Sequence, residues 1–526
     1  MINELVCEGC GDCSVQSNCL SVEPLETELG RKRAINQSSC NKDFSCLKGF
    51  CPSFVTVEGG SLRRPAPAAK SDDDPASGLP MPLLPTLARR PHEVLITGVG
   101  GTGVVTASAL LGMAAHLEGR GASVLDMTGT AQKGGAVMSH VRIAADPAAL
   151  HGARVRAADV LIGGDLIVSA SAAALDGVRS GKTRAVINTA KAPTADFVRN
   201  PDWLFPAADA EQAIARAVGE AGKVHFVDAR ALAVALLGDA IYANPLLLGF
   251  AFQKGWLPVG LPALQRAIEL NGVAVARNLL AFAWGRRAAM DLDAVLRAAS
   301  PTKPVAMPRR TDLDALIEHR AEFLTAYQNA AYAARYRRTV ERIRTVERDR
   351  VGGSRLAEAV ARYAFKLMAY KDEYEVARLH TDGTFRASIA AQFEGDYTLR
   401  YHLAPPTLVR PDAGSGVATK RSFGPWMEVA MRGLAHLRFL RGTSFDPFGR
   451  TAERRDERAL IADYEKLIDE LAAGLESTNH AQALELARIP EHIRGYGHVK
   501  QAHLAIARAK QAEALARWRA PVPVTA

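Results

Sequence analysis

No cysteine follows Cys51 in this chain of 526 residues. All seven stand at Cys7, Cys10, Cys13, Cys19, Cys40, Cys46 and Cys51. An odd count in a large chain with no secretory leader argues against a disulfide framework. Thiols with no targeting segment point to a reducing cytoplasm. Long hydrophobic runs are lacking as well. The longest apolar stretch, around residues 231–252, is interrupted by Asp239, Asn244 and Pro245, which makes a poor membrane span. No partner in the membrane is expected. Strong charge of one sign is absent too. A net charge of +9 without a recognised reader motif does not indicate nucleic-acid binding. Ser169-Ala-Ser171 lacks the context of a nucleophile elbow, and no catalytic acid, base or nucleophile stands out. His140, His225, His402 and His498 are scattered and read as structural.

With 48% hydrophobic and 23% charged residues the composition is that of an ordinary soluble protein of three or four domains. Its most informative feature is the cysteine spacing. The first group is Cys7-x2-Cys10-x2-Cys13-x5-Cys19, and the second is Cys40-x5-Cys46-x4-Cys51-Pro52. Short spacers let one loop present several thiolates to neighbouring irons, as a polynuclear iron–sulfur cluster requires. A zinc site made of Cys7, Cys10, Cys40 and Cys46 is the alternative. It would leave Cys13, Cys19 and Cys51 idle.

The chain reads as four stretches. Residues 1–56 form a cysteine-rich iron–sulfur module, too short for a large core of its own. Residues 57–91 are a Pro-rich linker. Residues 92–300 alternate between strands and helices and predict a doubly wound α/β domain. Expected strands are 93–97, 123–126, 159–163, 184–188 and 223–228, with a helix from Val104 to about Glu118. Residues 301–526 are mostly helical, with apolar residues at helical spacing such as Leu356, Val360, Tyr363 and Leu367. Residues 383–411 are expected to be less helical. Within the helical stretch, Arg337, Arg338, Arg342, Arg344 and Arg348 interleave with Glu341, Glu347 and Asp349. This is a solvated helix face or, alternatively, a docking face for an acidic electron carrier.

Gly98-x-Gly100-Gly101-x-Gly103 follows the first of these strands and opens the helix. Such a turn brings a phosphate close to a helix N-terminus, or simply lets helix and strand pack closely. Asp126 lies about where a ribose-binding acid would stand, so an NAD-dependent reductase is a competing reading. A second loop, with Gln132, Lys133, Gly134 and Gly135, falls beyond the end of the second strand. Ligands gather at that edge in open α/β sheets.

The segments VCEGCGDCSVQSNC and SSCNKDFSCLKGFCPSF resemble the cysteine region of the long, single-chain indolepyruvate ferredoxin oxidoreductases. GVGGTGVVTASALL with TAQKGGAVMSHVRI is similar to the gamma-type domain shared by 2-oxoacid:ferredoxin oxidoreductases. EHIRGYGHVK, at Glu491 to Lys500, is similar to the C-terminal extension of the long enzymes. The resemblance implies oxidative decarboxylation of 2-oxoacids, arylpyruvates above all, to acyl-CoA, with electrons passing through [4Fe–4S] clusters to ferredoxin. It implies coenzyme A near Gly98, Gly100, Gly101, Gly103, Gln132, Lys133, Gly134 and Gly135. The family's Gly-Asp-Gly…Asn thiamine pattern is missing, because Gly164-Asp165 is followed by leucine. Thiamine diphosphate and Mg are therefore expected on partner domains or a partner subunit, within an oligomer. Cys7, Cys10 and Cys13, closed by the distant Cys51-Pro52, are the expected ligands of one cluster. Cys19, Cys40 and Cys46 are left to a second, incomplete cluster or to sharing with the first. An iron–sulfur electron-transfer or scaffold subunit without catalysis of its own is the remaining alternative.

Overall fold

The computed structural model describes the chain except for residues 64–73, 88–89, 130–133, 193, 220–222, 300–311, 406–408, 410–418 and 521–526. The chain divides into two compact units. One comprises Met1–Ile35, Lys42–Arg63 and Ala306–Ala526, and the other Asn36–Asn41 and Arg64–Val305.

In the first unit the cysteine segment begins with the short helix α1 (Asp12–Ser17). The antiparallel hairpin of β1 (Val22–Thr27) and β2 (Gly30–Ile35) follows, and then β3 (Val55–Glu58).

In the second unit β4 (His92–Val99) leads through the glycine turn into α2 (Val104–Leu117). After it come β5 (Gly121–Thr128), β6 (Ala136–Ala144), β7 (Val160–Gly163), β8 (Arg184–Asn188), α3 (Ala207–Val218), β9 (Val224–Val227), α4 (Ala243–Gln253) and α5 (Val275–Met290). The six strands form one sheet in the order β9-β8-β7-β4-β6-β5. Its layering follows from strand periodicity, since successive side chains point to opposite faces. Val94, Ile96, Val160, Ile162 and Val186 join one core with Leu110, Leu111, Leu247 and Phe250. Leu95, Leu161, Ala185 and Ile187 join another with Leu166, Ile214 and Val218. Helices α4 and α5 pack closely at Gly249 and Gly285. A Cβ on either glycine would collide with the carbonyl oxygen of Phe282 or Leu246.

The sheet corrects the sequence expectation in one respect. The strands β4 and β5, joined through α2, are not neighbours: β6 lies between them and runs antiparallel to both. The unit is therefore a mixed sheet rather than an unbroken β-α alternation. The strand β6 gives little sequence signal because Val137, Ser139, His140, Val141, Ile143 and Ala144 are all buried. A strand covered on both faces shows no polar alternation.

The remainder of the first unit is predominantly helical: α6 (Leu313–Tyr327), α7 (Ala330–Arg350), α8 (Arg355–Met368), α9 (Glu373–Thr381), α10 (Trp426–His436), α11 (Ala452–Gly474), α12 (His480–Arg488) and α13 (Gly497–Arg519). A helix also covers Thr384–Gln392, within the stretch expected to be less helical, before β10 (Thr398–Leu403) and β11 (Arg421–Phe423). Phe385 and Ile389, four residues apart, are both buried and fix that helix on the core. The helical core holds Leu324, Tyr336, Val340, Ile343, Leu356, Val360, Ile468 and Leu471. The arginines of α7 do not form a free basic face. Arg335 pairs with Glu465, Arg337 with Glu318, Arg342 with Asp469 and Arg344 with Asp314.

The cysteine segment is built into these helices. The strand β3 pairs with β10, Val55 opposite Tyr401. Asn3 Nδ2 donates to the Leu379 carbonyl at 2.9 Å, and the Tyr496 hydroxyl donates to the Val6 carbonyl at 2.6 Å. Lys371 pairs with Glu8 at 2.6 Å.

Glu347 organises the helix junctions. Its fully buried carboxylate accepts the backbone N–H groups of Leu356 and Ala357, each at 2.8 Å, at the start of α8. His480 Nε2 lies 2.8 Å from the same carboxylate. An acid at a helix N-terminus satisfies orphan donors and complements the helix dipole. Replacing Glu347 with alanine strips these groups of their partner inside the core. It is expected to lower the unfolding free energy by about 3 kcal/mol, read from urea titration. An unchanged midpoint would refute this role.

Candidate functional site

The cysteine site lies wholly in the first unit. Cys7, Cys13 and Cys51 are buried and Cys10 is half-buried, and all are thiols. Local backbone shape places them. Gly9 and Gly11 adopt left-handed φ values of 67° and 82° between the cysteines. A Cβ at Gly9 would strike the Arg31 carbonyl oxygen. The Gly9 N–H points at Cys7 Sγ, 3.4 Å away, and Cys51 Sγ lies 2.9 Å from the Ser53 hydroxyl. Asp12 accepts the Phe50 N–H at 2.6 Å and so ties the two cysteine loops together.

Electrostatics groups the same four thiols. Burial pushes the Cys10 thiol well up, and Cys51, Cys7 and Cys13 push it further. Burial raises Cys13 to about 12, helped by Cys7, Cys51 and Cys46. Cys51 is likewise raised to about 12 by burial and by Cys7. Cys10, Cys13 and Cys51, which burial holds against ionisation in the bare protein, crowd with Cys7 into one group of thiols that a positively charged metal centre would deprotonate. Cations stand ready on both sides. The fully buried Arg33 feels Cys13, Cys7 and Cys10. Lys32 Nζ donates to the Cys7 carbonyl at 2.8 Å and Lys420 Nζ to the Cys51 carbonyl at 3.2 Å. The buried Ser14 hydroxyl, next to Cys13, has no hydrogen-bond partner in the protein. Among the described residues no three His, Cys, Asp or Glu side chains converge as they would around a single metal ion. Thiols that ring a multi-iron cluster stand further apart than the ligands of a lone ion with bonds of about 2.3 Å.

Of the remaining thiols, Cys46 influences Cys13 and Lys420, so it lies beside the first group. Cys19 packs on the same small core. Cys40 belongs to the second unit. Sequence reasoning missed Lys32, Arg33 and Lys420. The run Arg31-Lys32-Arg33 was a visible signal, whereas Lys420 had none.

A cavity of about 430 Å³ opens beside Cys51 and Pro52 in the same unit. Its walls are largely apolar, with Leu403, Met427, Met431 and Leu434 among them, and Trp426 and Lys420 also line it.

In the second unit Gly98, Gly100, Gly101 and Gly103 sit where β4 turns into α2. Gly101 and Gly103 have φ values of 88° and 91°, a conformation only glycine adopts freely. A Cβ at Gly98 would lie 2.6 Å from the Val104 side chain. The buried Asn244, another residue that the sequence did not single out, donates to the Thr102 carbonyl at 2.8 Å and pins the turn. The Gly100 N–H bonds to the Gly135 carbonyl at 2.8 Å, so the glycine turn and the residues before β6 share the carboxyl edge of β4. Gln132 and Lys133 lie outside the described residues, and Gly134 and Gly135 within them. Asp126 accepts the Ser108 hydroxyl at 3.0 Å and also that of Ser139. Its strand is separated from β4 by β6, which is not the adjacent-strand arrangement of a dinucleotide fold. His140 Nδ1 accepts the Val155 N–H at 3.2 Å, and His402 Nε2 meets the Thr56 hydroxyl at 2.6 Å. Among the described residues no helix is long and apolar enough to cross a membrane.

The family described as pyruvate ferredoxin/flavodoxin oxidoreductase matches residues 93–288. A family of unknown function, DUF6537, matches residues 313–513. The indolepyruvate oxidoreductase subunit IorB of Pyrococcus horikoshii is 31% identical over 207 residues, covering 38% of this chain and 97% of that protein. The subunit of the same name from Thermococcus kodakarensis is 28% identical over 206 residues, covering 38% and 97%. A crystal structure of the pyruvate oxidoreductase subunit PORC from Thermotoga maritima is 24% identical, covers 38% of this chain and 96% of that chain, and superposes with a TM-score of 0.28. The chain belongs to the 2-oxoacid:ferredoxin oxidoreductase family.

His380 links α9 to the cysteine segment, with Nε2 2.9 Å from the Pro52 carbonyl. Burial lowers its pKa to about 4. The unfolded chain, titrating near the ordinary 6.5, takes up this proton first as the pH falls. Stability is thus unaffected above 6.5 and declines between 6.5 and 4, by about 3 kcal/mol for the full shift. Urea unfolding at pH 7 and pH 4 should show this loss in the wild type and a smaller one in His380→Gln. Equal losses in the two proteins would refute the assignment.

Proposed function

We propose that this chain is the gamma-type, cluster-bearing component of an arylpyruvate:ferredoxin oxidoreductase of the long indolepyruvate type. The observation that carries the reading is the grouping of Cys7, Cys10, Cys13 and Cys51 in one buried, cation-flanked site. A [4Fe–4S] cluster bound there supplies one-electron storage and relay. Of the protein groups, the four thiolates anchor it and the Gly9 N–H donates toward Cys7 Sγ. Arg33, Lys32 and Lys420 offset its negative charge, as polar and charged groups around a cluster do. Cys46, beside the first group, shares in that site in this reading.

The second unit holds coenzyme A at the carboxyl edge of its sheet, where the turn Gly98–Gly103 and Gly134-Gly135 meet, with Gln132 and Lys133, immediately before Gly134 in the sequence, as further contacts. Thiamine diphosphate, Mg and the site of 2-oxoacid cleavage lie on a partner subunit or partner domains. The oligomer so formed delivers electrons to ferredoxin in the cytoplasm. The match to the pyruvate ferredoxin/flavodoxin oxidoreductase family over residues 93–288 and the IorB relatives support the reading. In this reading residues 1–56 form the cluster segment, 57–91 the linker, 92–300 the gamma-type domain and 301–526 the extension.

Protein purified without oxygen should contain iron and sulfide and give a reduced-cluster EPR signal. Cys7→Ala, Cys10→Ala, Cys13→Ala and Cys51→Ala should each abolish or reshape that signal. A colourless, iron-free protein after reconstitution sinks the reading, and an unaltered signal in Cys51→Ala sinks the ligand set. Lys133→Ala is expected to weaken coenzyme A binding about tenfold by calorimetry, the loss of one charge-assisted contact. Equal affinity would remove Lys133 from the site.

A further inference from the structure

The arginine run of α7 does not offer free charge to an acidic carrier. Arg335, Arg337, Arg342 and Arg344 are neutralised by acids on α6 and α11. The stretch from Lys420 to Arg455 is different. It holds eight lysines and arginines against three acids. Of the eight, Arg441 and Arg454 are buried in pairs with Asp372, Glu373 and Glu457. Arg421, Arg432, Arg450 and Arg455 are exposed there. Glu428 is shared between Arg432 and Arg386 and offsets only part of this charge.

The same stretch exposes apolar side chains unusually densely. Trp426 is 58% exposed, Val429 69%, Phe439 66% and Phe445 83%, and Leu437 is exposed as well. Trp426, at the edge of the cavity, and Val429 lie three residues apart on α10 and are both exposed. Apolar groups among charges are the anatomy of an interaction surface. Position supplies the third observation. The inner side of α10, through Met427, Ala430, Met431 and Leu434, walls the cavity whose other wall includes Cys51 and Pro52.

We propose that the outer face of α10 and the turn after it, Trp426 to Phe445 with Arg421, Arg432, Arg438 and Arg450 around it, is the docking site of an acidic electron-carrier protein of the ferredoxin class. The proposal rests on the reading that Cys51 holds a cluster. Opposite charge speeds the encounter and orients it, and the apolar centre gives a short-lived complex its grip. A carrier seated there gains one electron as the cluster at Cys51 loses one.

The test is anaerobic calorimetric titration of the full-length protein with an oxidised bacterial two-cluster ferredoxin, at low and high salt, with iron content measured separately. Arg432→Glu with Arg438→Glu should weaken binding at least tenfold at low salt, and the difference should shrink as salt screens it. Val429→Asp should weaken binding at both salt concentrations. Arg342→Glu with Arg348→Glu, on α7, should bind as the wild type does. The proposal is overturned if the wild type does not bind the ferredoxin, if the α10 variants bind as tightly as wild type, or if the α7 variant loses as much. It is also overturned if the α10 variants keep ferredoxin but lose association with the thiamine-bearing partner, which would assign the face to that partner. Iron-free protein that still binds ferredoxin through α10 would sink the cluster reading and leave the docking site standing.

Discussion

Burial of thiols is the constraint on which the first unit depends. Cys7, Cys13 and Cys51 sit with Val6, Val22, Phe54 and Tyr496 in one small core, and a segment of that length cannot enclose them alone. The helices near the carboxyl end complete the enclosure. The Tyr496 hydroxyl reaches the Val6 carbonyl, His380 reaches Pro52, and Lys420 reaches the Cys51 carbonyl. These contacts bring together residues separated by more than three hundred positions in the chain. They bury Cys7, Cys13 and Cys51 and place a cation beside Cys51, and the polarity around a thiol site governs how it holds a metal.

The second unit solves a different problem with other means. Glycines carry the backbone through positive φ at the end of β4, and Asn244 ties the turn from the side. The insertion of β6 between β4 and β5 brings Gly135 to the same edge as Gly100. A purely parallel sheet would have separated these two loops. The topology, more than the glycine pattern, makes this edge a candidate binding site, and Asp126, engaged with Ser108 and Ser139, is drawn into the sheet's own hydrogen bonding.

Charge shows how far an arginine count can mislead. The run on α7 looks basic in one dimension, yet neighbouring helices supply its counterions. Exposed pairs of this kind contribute little to stability, typically 0–1 kcal/mol each, but they remove the field that would steer a partner. Around α10, Arg441 and Arg454 are buried against Asp372, Glu373 and Glu457, whereas Arg421, Arg450 and Arg455 stay exposed, and the exposed aromatic residues add contact area.

The sequence by itself determined the cysteine spacing, the family likeness, five of the six strands of the main sheet and the helix Val104–Leu117, because short-range periodicity and glycine placement act locally. It also singled out Cys7, Cys10, Cys13 and Cys51 as one set, from their spacers and the Cys51-Pro52 ending. It did not reveal β6, whose residues are buried on both faces and so lack alternation, nor Arg33, Lys420 and Asn244, whose roles exist only through distant neighbours. Only the tertiary structure decided that the cysteine segment packs with the C-terminal helices and that the arginines of α7 are spent on ion pairs. Both are pairings between residues far apart in the chain, and no local pattern encodes which distant surface a side chain will meet.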